Sequence, residues 1–431
     1  MQVIKLLKSL KPKRVEHWFV LSIFLYSIAK MLLHYLPGFI SNILIILTST
    51  FFLWKIIENF KGVPLKGLTK FLYIILVFWS LCLTFHTFFI ADISTTFSKN
   101  EGVKTWILAY TSSQYFMPNM IPLYLLAIPR NHQFDFRYLW RVMWIMCILY
   151  LCLYPYSFWN MIHYQWSSIR LEGEAWGDKG TYGDFIMNST KGINYILPFA
   201  IMIFFKKYLP QKIWKYFLAT AIGNILIQAY MARRGNLAIS LLYLVLAWGI
   251  YFIHEKKSSK FKITLISVIV IILCYSLFNN MADSLFATLI ERGMEDTRSG
   301  VEESFYNDMK TTTDWLFGRG WFGEYYDSIF KDYRSSIETG FLSLILRGGL
   351  LYTIPYVGIL LLSFINGYFR SKNLFCKSFA IICLIQILSL YPYGWPAFDL
   401  NHFTLWLGVW ICNSSQIRNL NDNYIIHHLF Y

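Results

Sequence analysis

The stretch IWKYFLATAIGNILIQAYMARRGNLAISLLYLVLAWGIYFI, residues 213–253, decides the reading of this chain. Two apolar runs of about 20 residues flank a short polar hinge, and each is long enough to cross the roughly 30 Å hydrocarbon core of a bilayer. The hinge holds two adjacent arginines, Arg233 and Arg234, with no acidic residue within ten positions on either side. A soluble core would not place unpaired charges between two such runs. A membrane hairpin would place them at its boundary.

The same pattern recurs along the chain. Of 431 residues, 56% are hydrophobic and only 15% charged, where a soluble domain has about a quarter charged. Apolar runs fall near 18–36, 39–57, 70–91, 112–128, 137–157, 192–208, 213–232, 236–254, 262–281, 350–368, 376–394 and 398–414. The expected fold is therefore an all-α integral membrane protein with about twelve transmembrane helices. The first run is too long for a signal peptide and lacks a small-residue cleavage site, so it reads as a retained helix.

The net charge of +15 fits topology better than nucleic-acid binding. Lys5, Lys8, Lys11, Lys13 and Arg14 precede the first span; Lys61, Lys66 and Lys70 follow the second; Arg130, Arg137 and Arg141 follow the fourth. Lys206, Lys207, Lys212 and Lys215 follow the sixth, Lys256, Lys257, Lys260 and Lys262 the eighth, and Arg370, Lys372 and Lys377 the tenth. Every even-numbered loop is basic. By the positive-inside rule both termini are then cytoplasmic. The seven cysteines lie in or beside the spans and none has CxxC spacing, so they read as packing residues.

Three regions follow: helices 1–9 over 1–281, a large external loop over 282–349, and helices 10–12 with a cytoplasmic tail over 350–431. A second external loop covers about 158–191. The large loop is rich in acid, and its cations are mostly arginine: Arg292, Arg298, Arg319, Arg334 and Arg347. Arginine offers a planar fork of donors suited to phosphate, whereas lysine serves as a hydrated topology signal. Within the loop, Ala282–Met294 and Val301–Leu316 read as helices and FGRGWFG (317–323) as a break. Ser336–Arg347 reads as a short helix, set off from the next span by Gly348 and Gly349. Gly318, Gly320 and Gly323 spell a literal GxGxxG, but no strand precedes them and no βαβ unit surrounds them, so they read as a tight turn.

Two readings fit the external cations. Arg233 and Arg234 can snorkel to lipid headgroups, or they can form an anion site at the membrane boundary, where charge tends to mark function. Arg292 and Arg298 can pair with Glu291, Glu295 and Asp296 as helix salt bridges, or they can join the same anion site, Arg298 following the helix end. Glu338 opens the short helix, either as an N-terminal cap or as a general base. His163, Asp399 and His402 are weaker candidates on the external side. Trp159, Trp166, Trp176, Trp315, Trp321 and Trp395 are available as stacking platforms, although Trp also lines membrane interfaces.

Taken in order, ARRG (232–235), EDTRSG (295–300), LFGRGWFG (316–323) and IETGFLSLILRGGLLY (337–352) resemble the O-antigen polymerase and O-antigen ligase superfamily of polytopic bacterial glycosyltransferases. The likeness covers roughly 220–370 and the twelve-span layout with its external loop between helices 9 and 10. It implies a metal-independent, inverting transferase that needs no cofactor and takes its donor glycan from undecaprenyl diphosphate. Arg233 or Arg234, Arg292 and Arg298 match the family's diphosphate-binding arginines, and Arg319 is placed with them as a substrate-binding residue. The ligase branch carries a histidine before the last spans; here that position reads Glu338–Thr339, and 282–349 holds no histidine. The expected activity is therefore polymerisation of lipid-linked repeat units, with a flippase and a chain-length regulator as pathway partners. A ligase differs only in acceptor. A flippase or transporter would show two similar halves and charges along a central cavity, and no such halves are seen. A non-catalytic assembly scaffold is the remaining reading.

Overall fold

The computed structural model describes residues 11–32, 38–90, 110, 117–129, 135–163, 211–230, 234–254, 299–329, 331–335, 337, 339–391 and 398–427. The chain forms two compact units, one from Met1–Val142 with Asp296–Tyr431 and one from Met143–Glu295.

The described residues are mostly helical. In the first unit, α1 (Val15–Leu32) packs on α2 (Gly38–Glu58), and α3 (Gly67–Phe89) packs on the long α9 (Gly340–Phe369). Helix α9 also packs on α10 (Leu374–Ser389) and α11 (Leu400–Asn413). Helices α3 and α9 are long and apolar enough to cross a membrane. At about 1.5 Å per residue, the 23 residues of α3 span about 34 Å. Its Tyr73, Leu76, Ser80, Leu83 and Thr87 are buried, while Phe71, Phe78, Phe85 and Phe89 line an exposed apolar face. Shorter apolar helical stretches cover Val15–Ala29, Met117–Ala127, Leu237–Leu246 and Leu374–Ser389.

Side-chain contacts sort the helix ends of this unit into two groups. At one, Thr69 and Asn366 both donate to Asn413 Oδ1 (3.2 and 2.9 Å), and the Lys372 N–H donates to the Arg418 carbonyl. At the other, the Phe341 N–H donates to the Leu390 carbonyl (3.2 Å). The start of α3 thus shares an end with the finish of α9, so the two helices run antiparallel. At the first end, the start of α4 (Phe136–His163) meets α1. His17 Nδ1 accepts from the Lys13 N–H (3.1 Å), which leaves Nε2–H to donate to Asp135 (3.2 Å). Burial pushes the Asp135 carboxyl up, but the His17 hydrogen bond and the neighbouring His17 and Arg14 charges outweigh it and hold it below its ordinary range.

In the second unit, α5 (Gln211–Tyr230) packs against α6 (Arg234–His254). Buried Asn224 donates to Ser240 (3.2 Å), and Gln228 donates to Asn224 (3.3 Å). Such bonds hold apolar helices in register where burial alone gives little direction.

Four expectations change. The apolar run 112–128 is not one spanning helix over its described part. It forms 3₁₀ turns at Met117–Met120 and Pro122–Ala127, because Pro118 and Pro122 each remove a backbone donor. Val301–Leu316 splits into α7 (Ser299–Asp308) and α8 (Thr312–Phe317), where Thr311 caps α8 by accepting from the Asp314 N–H (3.0 Å). The helix expected from Ser336 starts at Gly340 and runs into the next span through a kink at Gly349, whose φ is +63°. The described chain is not wholly α, since β1 (Tyr325–Asp327) and β2 (Asp332–Arg334) pair antiparallel, Tyr326 opposite Tyr333. The expected spans at 192–208 and 262–281 lie outside the described residues. Among the described cysteines, all six are free thiols.

Candidate functional site

The kink in α9 organises the loop above it. A helix interrupted at Gly349 leaves the carbonyls of the preceding turn without helical donors. The LFGRGWFG loop and Trp79 of α3 supply them. The Arg319 N–H donates to Leu346 (2.6 Å), the Gly320 N–H to Arg347 (3.0 Å), and Trp79 Nε1–H from α3 to Gly348 (2.7 Å). Gly318 and Gly320 take φ of +72° and +88°, so the glycine pattern makes the tight turn expected of it. Trp321 then plugs the turn into α3. Its backbone N–H donates to Thr87 (3.2 Å), its indole N–H donates to Thr84 (3.1 Å), and its ring meets the edge of Tyr352 at 5.5 Å. Phe305, Met309, Tyr325, Ile337, Leu342, Ile345 and Leu346 close a small core beneath.

Arg319 braces this loop. Nε–H donates to Asp314 (3.1 Å), one terminal nitrogen donates to Asp308 and the Glu324 carbonyl (2.8 Å), and the other donates to Asp314 (3.1 Å) and the Asp308 carbonyl (3.1 Å). A guanidinium has five N–H donors, and all five are engaged within the loop. None is left for a phosphate, so here Arg319 is a clamp. Its bond to Asp314 pulls that carboxyl below its ordinary range, and burial opposes the shift only in part. Burial would lower the Arg319 value, and the bonds from Asp314 and Asp308 raise it instead.

Arg319→Ala is expected to loosen the loop by about 2 kcal/mol, because two partly buried carboxylates lose their donors. Arg319→Lys recovers little, having three donors and no fork. Trypsin cleavage within 299–339 in membranes measures both. Cleavage by pepsin, which stays active in acid, carries a pH prediction. A depressed carboxyl stabilises the native loop above its unfolded value, about 3.9 for Asp. Protection is then full at neutral pH, and the Asp314 share is lost as pH falls below about 3.9 and on through the lowered native value.

Arg234 is the first residue of α6. Arg233, Arg292, Arg298 and Glu338 lie outside the described residues. Asp399 caps α11 by accepting from the His402 N–H (2.8 Å), and buried His402 accepts from Trp406 Nε1–H (3.0 Å). Both serve the helix bundle. Trp321 is fully buried and so is no glycan platform, while Trp315 is partly buried and stacks on exposed Tyr306 at 6.2 Å. His163 ends α4. The sequence reading missed Glu302, which accepts from the Thr339 hydroxyl, and the Asp327–Arg334 pair (2.9 Å) that locks the hairpin. A first-turn acid after Ser299 was the only local sign of Glu302. Compared with known proteins, the chain matches no family model, no curated protein and no solved structure.

Proposed function

We propose that this chain is a twelve-helix glycosyltransferase of the bacterial cytoplasmic membrane, with both termini cytoplasmic and its site on the outer side. It joins repeat units carried on undecaprenyl diphosphate into a surface polysaccharide. The observation that carries the reading is the order of the four motifs along the chain. Support comes from the way two of them meet: the LFGRG turn caps the broken LRGG turn of α9 through Arg319 and Gly320.

The chemistry follows from the residues. As the donor sugar leaves its carrier, negative charge grows on the diphosphate. Arginine forks aimed at those oxygens stabilise that charge in the transition state. Arg233, Arg234, Arg292 and Arg298 are assigned this role, and Arg319 is not, since its donors are engaged. The acceptor hydroxyl needs a carboxylate to take its proton. The carrier's tail lies in lipid beside apolar helices such as α3.

The test is the surface-glycan ladder of a strain lacking the protein and complemented with Arg298→Ala at matched expression. The deletion is expected to leave a single repeat unit on the acceptor, and Arg298→Ala to shorten the ladder through a rate loss of about 100-fold. Long chains retained on the lipid carrier, with none attached, would identify a ligase instead. A full ladder in the deletion strain would overturn the reading.

A further inference from the structure

We propose that Glu302 is the general base of this transfer and that Thr339 positions it; the inference rests on the polymerase reading. Glu302 lies in the first turn of α7, and its Oε1 accepts from the Thr339 hydroxyl. Thr339 is buried and occupies the N-cap position of α9 with extended backbone, φ −75° and ψ 111°. A threonine there ordinarily accepts from an N–H of the first helical turn. This one makes no such cap bond. Its hydroxyl orients the carboxylate instead.

Among the described residues, three of the other loop carboxylates are held by arginines, while Glu303, Glu324 and Asp332 have no buried hydroxyl donor. Asp308 and Asp314 are tied to Arg319, and Asp327 is tied to Arg334 (2.9 Å) while also accepting from the Ile329 N–H (3.0 Å). A guanidinium partner already occupies oxygens that a substrate hydroxyl would need to reach. Among the described residues Glu302 forms no ion pair, and its Oε2 has no hydrogen-bond partner and is not sealed from solvent. One oxygen is fixed and the other is open, the arrangement a proton acceptor requires. Thr339 belongs to the IETG stretch that also holds Glu338, so the structure brings the start of α7 to that motif from 37 positions away.

The step balances without a further reagent. The acceptor hydroxyl gives its proton to Glu302 Oε2 as its oxygen bonds the anomeric carbon. The bond from that carbon to the diphosphate breaks, and its electron pair leaves on the diphosphate. The carboxylic acid then returns the proton to solvent.

Glu302→Gln separates base from brace. The amide oxygen can still accept from Thr339, so the contact survives while basicity is lost. With the protein at normal level in the membrane, both Glu302→Gln and Glu302→Ala are expected to collapse the ladder to one repeat, with Thr339→Ser close to wild type. With purified protein in vesicles and a lipid-linked repeat unit as substrate, Glu302→Gln is expected to lower kcat by about 100-fold or more at unchanged KM. Thr339→Val, which keeps the base and removes its orientation, is expected to lower kcat about tenfold. A full ladder from Glu302→Gln beside a defective Glu302→Ala would reduce Glu302 to a brace, and an unchanged kcat in Thr339→Val would remove the positioning role. In either case the single-repeat phenotype of the deletion strain still stands for the polymerase. Loss of that phenotype would bring down the polymerase reading and this inference together.

Discussion

Gly349→Val is expected to prevent the 316–323 loop from seating and to cost about 4 kcal/mol or more, at the upper end for a single substitution. Gly349 holds φ +63°, and a Cβ there would press on the Leu316 carbonyl and lie 2.6 Å from the Gly318 nitrogen. The facing residue is equally constrained. Gly318 has φ +72° and ψ −172°, a region open essentially to glycine alone, and its Cβ would lie 2.6 Å from the Gly349 nitrogen. Backbone meets backbone at this point, so no side chain can swing aside. Separating the strands would break the bonds from Arg319 to Leu346 and from Gly320 to Arg347. Gly318→Val should behave alike. Gly62→Ala is the control: φ is +87°, but no atom lies within 4 Å of the added Cβ. Only local strain of about 1 kcal/mol is expected there. Thermal unfolding in detergent, followed by monodispersity, distinguishes the cases. Wild-type stability in Gly349→Val would mean that the seam is not formed.

Trp321→Ala is expected to be the next most damaging change, by about 3–5 kcal/mol, the range for removing a large buried aromatic. Trp321 is fully buried and joins the loop to α3 through Thr84 and Thr87. Its removal leaves a cavity against Tyr352 and takes the indole donor from Thr84. Trp321→Phe should cost less, since the ring is partly replaced. Thr84→Val leaves the indole N–H without its acceptor, for about 1–3 kcal/mol. The readout is protease protection of 299–339 in membranes, where Trp321→Ala should expose the loop while α3 and α9 stay folded.

Much of this was legible in the sequence because local signals were strong. The apolar run at 70–91 emerges as α3, and that at 350–368 as the greater part of α9. The glycines of FGRGWFG and the Gly348–Gly349 pair mark a turn and a kink, since positive φ belongs mainly to glycine. What the sequence hid was which of these features meet. Trp321 and Thr84 are 237 positions apart, and nothing local in either stretch names the other. Arg319 reads as an available cation because Asp308 and Asp314 lie 11 and 5 positions away along the chain, and only the folded turn brings them to its guanidinium. Strands of three residues are too short to show alternation, so the hairpin left no periodic trace. Pro118 and Pro122 were visible, but a hydropathy average over 112–128 passes over the donors they remove.

The most direct test of the central claim is reconstitution: purified protein in lipid vesicles, given a repeat unit on undecaprenyl diphosphate as sole substrate, with product length read by gel and mass spectrometry. The account predicts chains growing by whole repeats, with one undecaprenyl diphosphate released per bond formed and no requirement for added metal. Intact lipid-linked repeats that cross the bilayer without being joined would contradict it and make the protein a carrier.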